Sequence, residues 1–155
     1  MGFDVLIRLL VIFLAMAQPI VILLVCGEIV SFSASWQTEL QPLYILTNAA
    51  TSYFLYSVSK WRPPAILLLL LTAFSVDFTP VFHNVIATFF FLSCISPLYS
   101  IKRFRHYMWL FLATTPLLPL YGLFWFEFAS VWVLCFYHLN LMWETRNLWK
   151  WDIYK

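Results

Sequence analysis

Residues 65 to 101 form an apolar run of about 37 residues with a single polar interruption, Asp77-Phe78-Thr79-Pro80-Val81-Phe82-His83-Asn84. As one helix, at 1.5 Å per residue, this run would extend about 55 Å, nearly twice the roughly 30 Å hydrocarbon core of a bilayer. It must fold back on itself, and the polar stretch is the only place for the turn. Composition brings in the bilayer: the chain is 63% hydrophobic and 10% charged, whereas soluble domains are roughly 25% charged. So few polar side chains cannot cover so much apolar surface in water, and lipid is the expected solvent.

The same length argument divides the rest of the chain. Residues 5 to 26 suffice for one crossing and exceed the 7–15-residue core of a secretion signal, so a retained first helix is expected. Pro19 within it removes a backbone hydrogen bond and predicts a kink. Residues 27 to 40 mix small polar residues with Glu28 and Glu39 and form the longest loop, after which Pro42 suits the first turn of a second helix. Residues 107 to 143 are again too long for one crossing, and Thr115-Pro116, Pro119 and Gly122 supply the break. The expectation is an all-α, single integral membrane domain over residues 1–155. Its six transmembrane helices fall at about 5–26, 41–59, 64–78, 82–101, 107–121 and 123–143, as three helical hairpins. Spans three and five are short, which calls for tilt, a thin bilayer or a broken helix.

With six spans, every Lys and Arg falls on one side: Arg8; Lys60 and Arg62; Lys102, Arg103 and Arg105; Arg146, Lys150 and Lys155. The positive-inside rule makes that side cytoplasmic and puts both termini inside. A five-span arrangement would split the set. Trp36 and Trp125 then mark the outer interface, and Trp61, Trp109, Trp143, Trp149 and Trp151 the inner one. Asn48, Thr51 and Ser52 in the second span are expected to face other helices.

On this topology Glu28, Glu39, Asp77, His83 and Glu127 lie at or near the outer face. Ionisable groups within a membrane are costly and tend to face a cavity or one another. Asp77, His83 and Glu127 are the candidate binding site, an exoplasmic polar pocket with His83 paired to Glu127 or Asp77; solvation of helix ends in the headgroup region is the rival reading. For Glu28 and Glu39 helix-end solvation is preferred. His138 lies eleven positions after Glu127, about 16 Å along a helix, and is expected outside the site of His83. His106 sits in a basic loop. With three histidines at different depths, no three-histidine zinc centre is expected, and no metal or cofactor is assigned.

No GxSxG elbow and no glycine-rich phosphate loop is present. Cys26, Cys94 and Cys135 contain no CxxC pair and read as packing residues. No basic stripe interleaved with aromatics appears outside the loops flanking the spans, so no nucleic-acid partner is expected. In the tail from Glu144 to Lys155, Trp149, Trp151 and Ile153 alternate with Lys150, Asp152 and Lys155. It reads as an extension of the last span with snorkelling side chains, or as a surface anchor on anionic lipid.

Six spans with both termini inside, a polar first outer loop, His83 opening span four within Phe82-His83-Asn84-Val85-Ile86 and Glu127 opening span six within Phe126-Glu127-Phe128-Ala129-Ser130 resemble the damage-regulated autophagy modulator superfamily of six-span membrane proteins. The resemblance covers most of the chain in topology and a few residues in detail. It implies that His83 and Glu127 are the positions that carry over, in a lipid-linked or regulatory role. The first outer loop lacks the family's Ser-Asp-Gly turn.

The expected function is that of a non-catalytic, multi-pass membrane protein that binds lipid or a membrane partner, with its polar pocket on the exoplasmic side. The alternatives are a small oligomeric transporter or channel and, third, an intramembrane lipid hydrolase using Asp77 and His83 with a water. The expected partners are membrane lipids and, within the bilayer, a protein partner or a second copy of the chain.

Overall fold

The computed structural model describes residues 3–27, 29–74 and 79–145. Glu28, Asp77 and the tail residues Trp149 and Trp151 therefore lie outside the described residues. The described chain is all helical, with no strand, as its composition predicts. Seven α-helices follow one another: α1 (Phe3–Cys26), α2 (Gln41–Tyr56), α3 (Arg62–Ala73), α4 (Pro80–Ser100), α5 (Arg105–Leu112), α6 (Leu117–Tyr121) and α7 (Leu123–Thr145). Short 3₁₀ turns occupy Phe32–Gln37, Ser59–Trp61 and Lys102–Phe104.

Proline places several of the boundaries. It stands in the first turn of α2, α3 and α4, where its missing N–H costs no intrahelical bond. Pro19 leaves α1 unbroken over 24 residues. The apolar run after Tyr107 is not one helix: α5 stops at Leu112, and α6 is a separate five-residue helix. Gly122 then separates α6 from α7. Its φ of 93° lies in the region that favours glycine, and its N–H reaches the carbonyls of Leu117 and Leu118, closing α6 as a C-terminal glycine does.

From α1 to α5 each helix packs on the next, α5 and α6 both pack on α7, and α7 packs back on α1, so the helices close a ring. Neighbours run in alternating directions. Arg8 near the start of α1 donates from Nη2 to Ser57 Oγ just past α2 at 3.3 Å, and Ile12 and Met16 of α1 meet Cys135 and Trp132 of α7 in antiparallel order. Near the other boundary of α7, the Tyr137 hydroxyl donates to the Pro97 carbonyl of α4, and Arg103 pairs with Glu144 at 2.8 Å. The α2–α3 turn, the α4–α5 turn and the end of α7 thus share one end of the bundle, and Arg8, Lys60, Arg62, Lys102, Arg103 and Arg105 gather there.

The main apolar core lies at this end, around Phe54, Trp61, Leu98, Phe104, Tyr107, Tyr137 and Leu141. Trp61 departs from its expected place at a membrane interface: it is 0% exposed and packs on His138 and Tyr137 at ring-centroid distances of 4.6 and 5.6 Å. Proline follows it closely, and the turn tucks the indole inward against α7. Trp109 and Trp143 do face outward. So do Leu6, Leu10, Phe13, Leu24, Ile66, Leu69, Val81, Phe89 and Leu92. Two helices, Asp4–Cys26 and Pro80–Ser100, are long and apolar enough to cross a membrane.

Candidate functional site

Inside the ring is a cavity of about 110 Å³ lined by α1, α2, α3, α4, α7, the Phe32–Gln37 turn and Trp61. From α7 the lining residues are Glu127, Val131, Leu134, Cys135 and His138, a helical stripe at i, i+4, i+7, i+8 and i+11. Eleven residues are close to three full turns, so Glu127 and His138 lie on the same face at opposite ends. The expectation that His138 and His83 belong to different sites meets a plain difference here, because both line this one cavity. The two histidines lie toward opposite ends of this cavity, which runs the length of the α7 face.

At the Glu127 end the polar groups hold backbone. The Phe32 N–H donates to Glu127 Oε2 at 2.6 Å, so the carboxyl group pins the first turn of the Phe32–Gln37 helix, whose amide has no intrahelical acceptor. Ring contacts between Phe32 and Phe124, one turn before Glu127, fix the same junction. His83 is 3% exposed, and its Nδ1 lies 2.7 Å from the Phe74 carbonyl oxygen. A carbonyl only accepts, so Nδ1 carries the hydrogen and Nε2 is the remaining ring nitrogen. This bond ties the end of α3 to the start of α4 across the turn that the length of the run requires. No hydrogen bond or ion pair joins His83 to Glu127. They share a cavity without being partners, and Asp77, the third expected member, lies outside the described residues. Tyr44, Asn48 and Ser33 complete the polar lining toward this end.

The opposite end is chemically different. His138 is 5% exposed and sits among the rings of Phe54, Trp61 and Tyr137. Among the described residues its Nε2 has no hydrogen-bond partner, and neither has the indole N–H of Trp61. Along the way, Gln18 Nε2 and Thr51 Oγ1 are also buried without partners, and all four residues line the cavity. Arg8 stands beside this end with its guanidinium 5.0 Å from the Phe54 ring centroid.

The sequence reading missed His138, Trp61, Gln18 and Thr51 as cavity residues. For His138 a signal was present in its eleven-residue phase with Glu127. For Trp61 there was none, since an aromatic beside a basic turn reads equally as an interface anchor. Among the described residues no three His, Cys, Asp or Glu side chains converge as a metal-ligand set. Cys94 and Cys135 are buried free thiols packed in apolar surroundings. No known protein family, curated protein or solved structure matches the chain.

Proposed function

We propose that this chain is a non-catalytic, six-span membrane protein with both termini cytoplasmic, which binds the headgroup of a membrane lipid at the Glu127 end of its cavity, on the exoplasmic side. The basic residues at the opposite end of the bundle support that orientation through the positive-inside rule. Support for the bilayer setting comes from the outward-facing Leu6, Phe13, Leu24, Leu69, Phe89 and Leu92, which would otherwise expose a large apolar surface to water.

Magnitude limits what the cavity takes. At about 110 Å³ it is smaller than the roughly 150 Å³ cavity that accommodates benzene, and well below the roughly 300–1,000 Å³ of drug-sized pockets. A whole lipid does not fit; a headgroup fragment does, with the acyl chains lying along the apolar outer face. The observation that carries the reading is the division of labour at Glu127. Oε2 is occupied by the Phe32 N–H, and Oε1 remains for a second donor, so a headgroup bearing an ammonium or hydroxyl is favoured over one that only accepts.

Native mass spectrometry of the purified chain with phosphatidylethanolamine and phosphatidylcholine in equal amounts tests this. Preferential retention of phosphatidylethanolamine, abolished in Glu127→Gln, is the expected result. Equal retention of the two lipids, or a preference unchanged by the substitution, would remove the basis for the proposal.

A further inference from the structure

Two turns at the basic end of the bundle carry the same sequence pattern. Tyr56-Ser57-Val58-Ser59-Lys60-Trp61-Arg62 recurs 43 positions later as Tyr99-Ser100-Ile101-Lys102-Arg103-Phe104-Arg105. Tyr, Ser and the final Arg are identical, and Val/Ile, Lys/Arg and Trp/Phe are exchanges of like for like. The backbone recurs as well. Val58 and Ile101 are extended, at φ −109°, ψ 117° and φ −102°, ψ 110°. Each of their carbonyls accepts at 2.9 Å from the amide three residues on, that of Trp61 or of Phe104. A single 3₁₀ segment then joins two helices, α2 to α3 in the first turn and α4 to α5 in the second. Burial keeps the same register: Leu55 and Leu98, Trp61 and Phe104, and Leu68 and Phe111 are all buried.

Packing accounts for part of this pattern, since Trp61 and Phe104 plug the core and the extended residue sets the bend. It does not account for the tyrosine and the arginine that frame each turn. Tyr56 and Tyr99 are 52% and 50% exposed. The Arg62 guanidinium lies 5.4 Å from the Tyr56 ring centroid, and that of Arg105 lies 4.1 Å from the Tyr99 ring centroid. Helix stability does not call for these arginines either, because each is the first residue of its helix, where a positive charge opposes the helix dipole.

Their surroundings suit an anion. Among the described residues neither Arg62 nor Arg105 enters an ion pair, whereas Arg103 is paired with Glu144. Arg105 Nε donates to the Tyr99 carbonyl at 3.1 Å, which leaves the edge formed by its two Nη groups for a bidentate acceptor such as a phosphate. Stacking on a ring holds the planar fork ready, so little further freedom is lost on binding. Outward-facing tyrosines at the end of a span sit at headgroup level, which puts each guanidinium at the height of lipid phosphates. Lys60 and Lys102 add a further positive charge to each turn.

We propose that each of the two turns binds one anionic phospholipid of the leaflet at this end, its phosphodiester held by the tyrosine-backed arginine, Arg62 or Arg105. A net negative headgroup is favoured over phosphatidylcholine, whose fixed ammonium would face the same cluster of Arg and Lys. Two equivalent turns give two lipids per chain. This surface lies at the opposite end of the bundle from Glu127, and it shares with the amine-binding headgroup site only the bilayer setting.

Native mass spectrometry of the full chain, purified in detergent and mixed with phosphatidylglycerol and phosphatidylcholine in equal amounts, tests the proposal. Retention of phosphatidylglycerol several-fold above phosphatidylcholine, up to two molecules per chain, is expected. Arg62→Gln and Arg105→Gln should each lower that count to one, and the double variant should fall to the phosphatidylcholine level. Arg103→Gln removes the same charge from the same end, but from an arginine already paired, and should leave two. Glu127→Gln should also leave two, which separates failure of this surface from failure of the headgroup site. Gel-filtration profiles matching the wild type certify the fold of every variant. The proposal is overturned by equal retention of the two lipids or by a wild-type count in either single variant. A loss in Arg103→Gln or Glu127→Gln as large as theirs overturns it as well, since binding would then follow overall charge or the other site.

Discussion

The two ends of the cavity contain the same kinds of group in opposite states. At one end Glu127 and His83 each hold a backbone atom, the Phe32 amide and the Phe74 carbonyl. At the other, His138 and Trp61 are buried like His83, but among the described residues the His138 Nε2 and the Trp61 indole N–H have no hydrogen-bond partner. Burial of an ionisable side chain therefore does not by itself separate a structural role from an available one. What separates them is where each donor and acceptor is directed. The pair that a sequence reading favours is partly committed to holding loops, and the residue it set aside is the one free to bind something.

Substitutions test that contrast. The largest effect is expected from Trp61→Ala, which deletes a fully buried indole from the main core and should cost about 3–5 kcal/mol, read as a large drop in the thermal unfolding midpoint in detergent. Trp61→Phe should recover most of it, because packing and not the unpartnered N–H provides the stability; failure to recover would mean that the N–H has a partner. Next comes Glu127→Ala, which strands the Phe32 amide at a cost of about 1–3 kcal/mol and should accelerate hydrogen exchange in the Phe32–Gln37 turn. Slow exchange at Phe32 in that variant would show that the carboxyl group does not hold the loop.

His83→Ala frees the Phe74 carbonyl and removes part of the link between α3 and α4, with an expected loss of roughly 1 kcal/mol beyond its packing contribution, measured against His83→Gln, whose amide can still donate. The smallest effect belongs to His138→Phe. Replacing an unpartnered buried polar ring by an apolar one of similar shape should change stability by less than about 1 kcal/mol, and in either direction. If it cost as much as Glu127→Ala, the two ends would not differ as described.

Much of the fold was legible before any coordinates. The helical class followed from composition and the turn before α4 from the length of the run, whereas the span expected over 107–121 is two short helices, α5 and α6. Less of the site was legible. Glu127 and His83 were picked out because charge is rare in apolar sequence, but their hydrogen-bond partners are backbone atoms 95 and 9 residues away, and no local pattern specifies which amide a carboxyl group will meet. Trp61 illustrates the same limit, because a tryptophan beside Lys60 and Arg62 reads as an interface anchor until the turn that carries it is folded against α7.

By itself the sequence determined the helical class, the turn before α4 and the shared end of the bundle for Arg8, Lys60, Arg62, Lys102, Arg103 and Arg105. These follow from chain length against bilayer thickness and from the cost of placing charge in hydrocarbon, both properties of single segments. Only the tertiary structure decided that α7 closes the ring on α1, that a cavity runs from Glu127 to His138, and which of the buried polar atoms along it have partners. Those outcomes depend on which helix faces meet, and contacts between distant segments are fixed by packing of the whole ring.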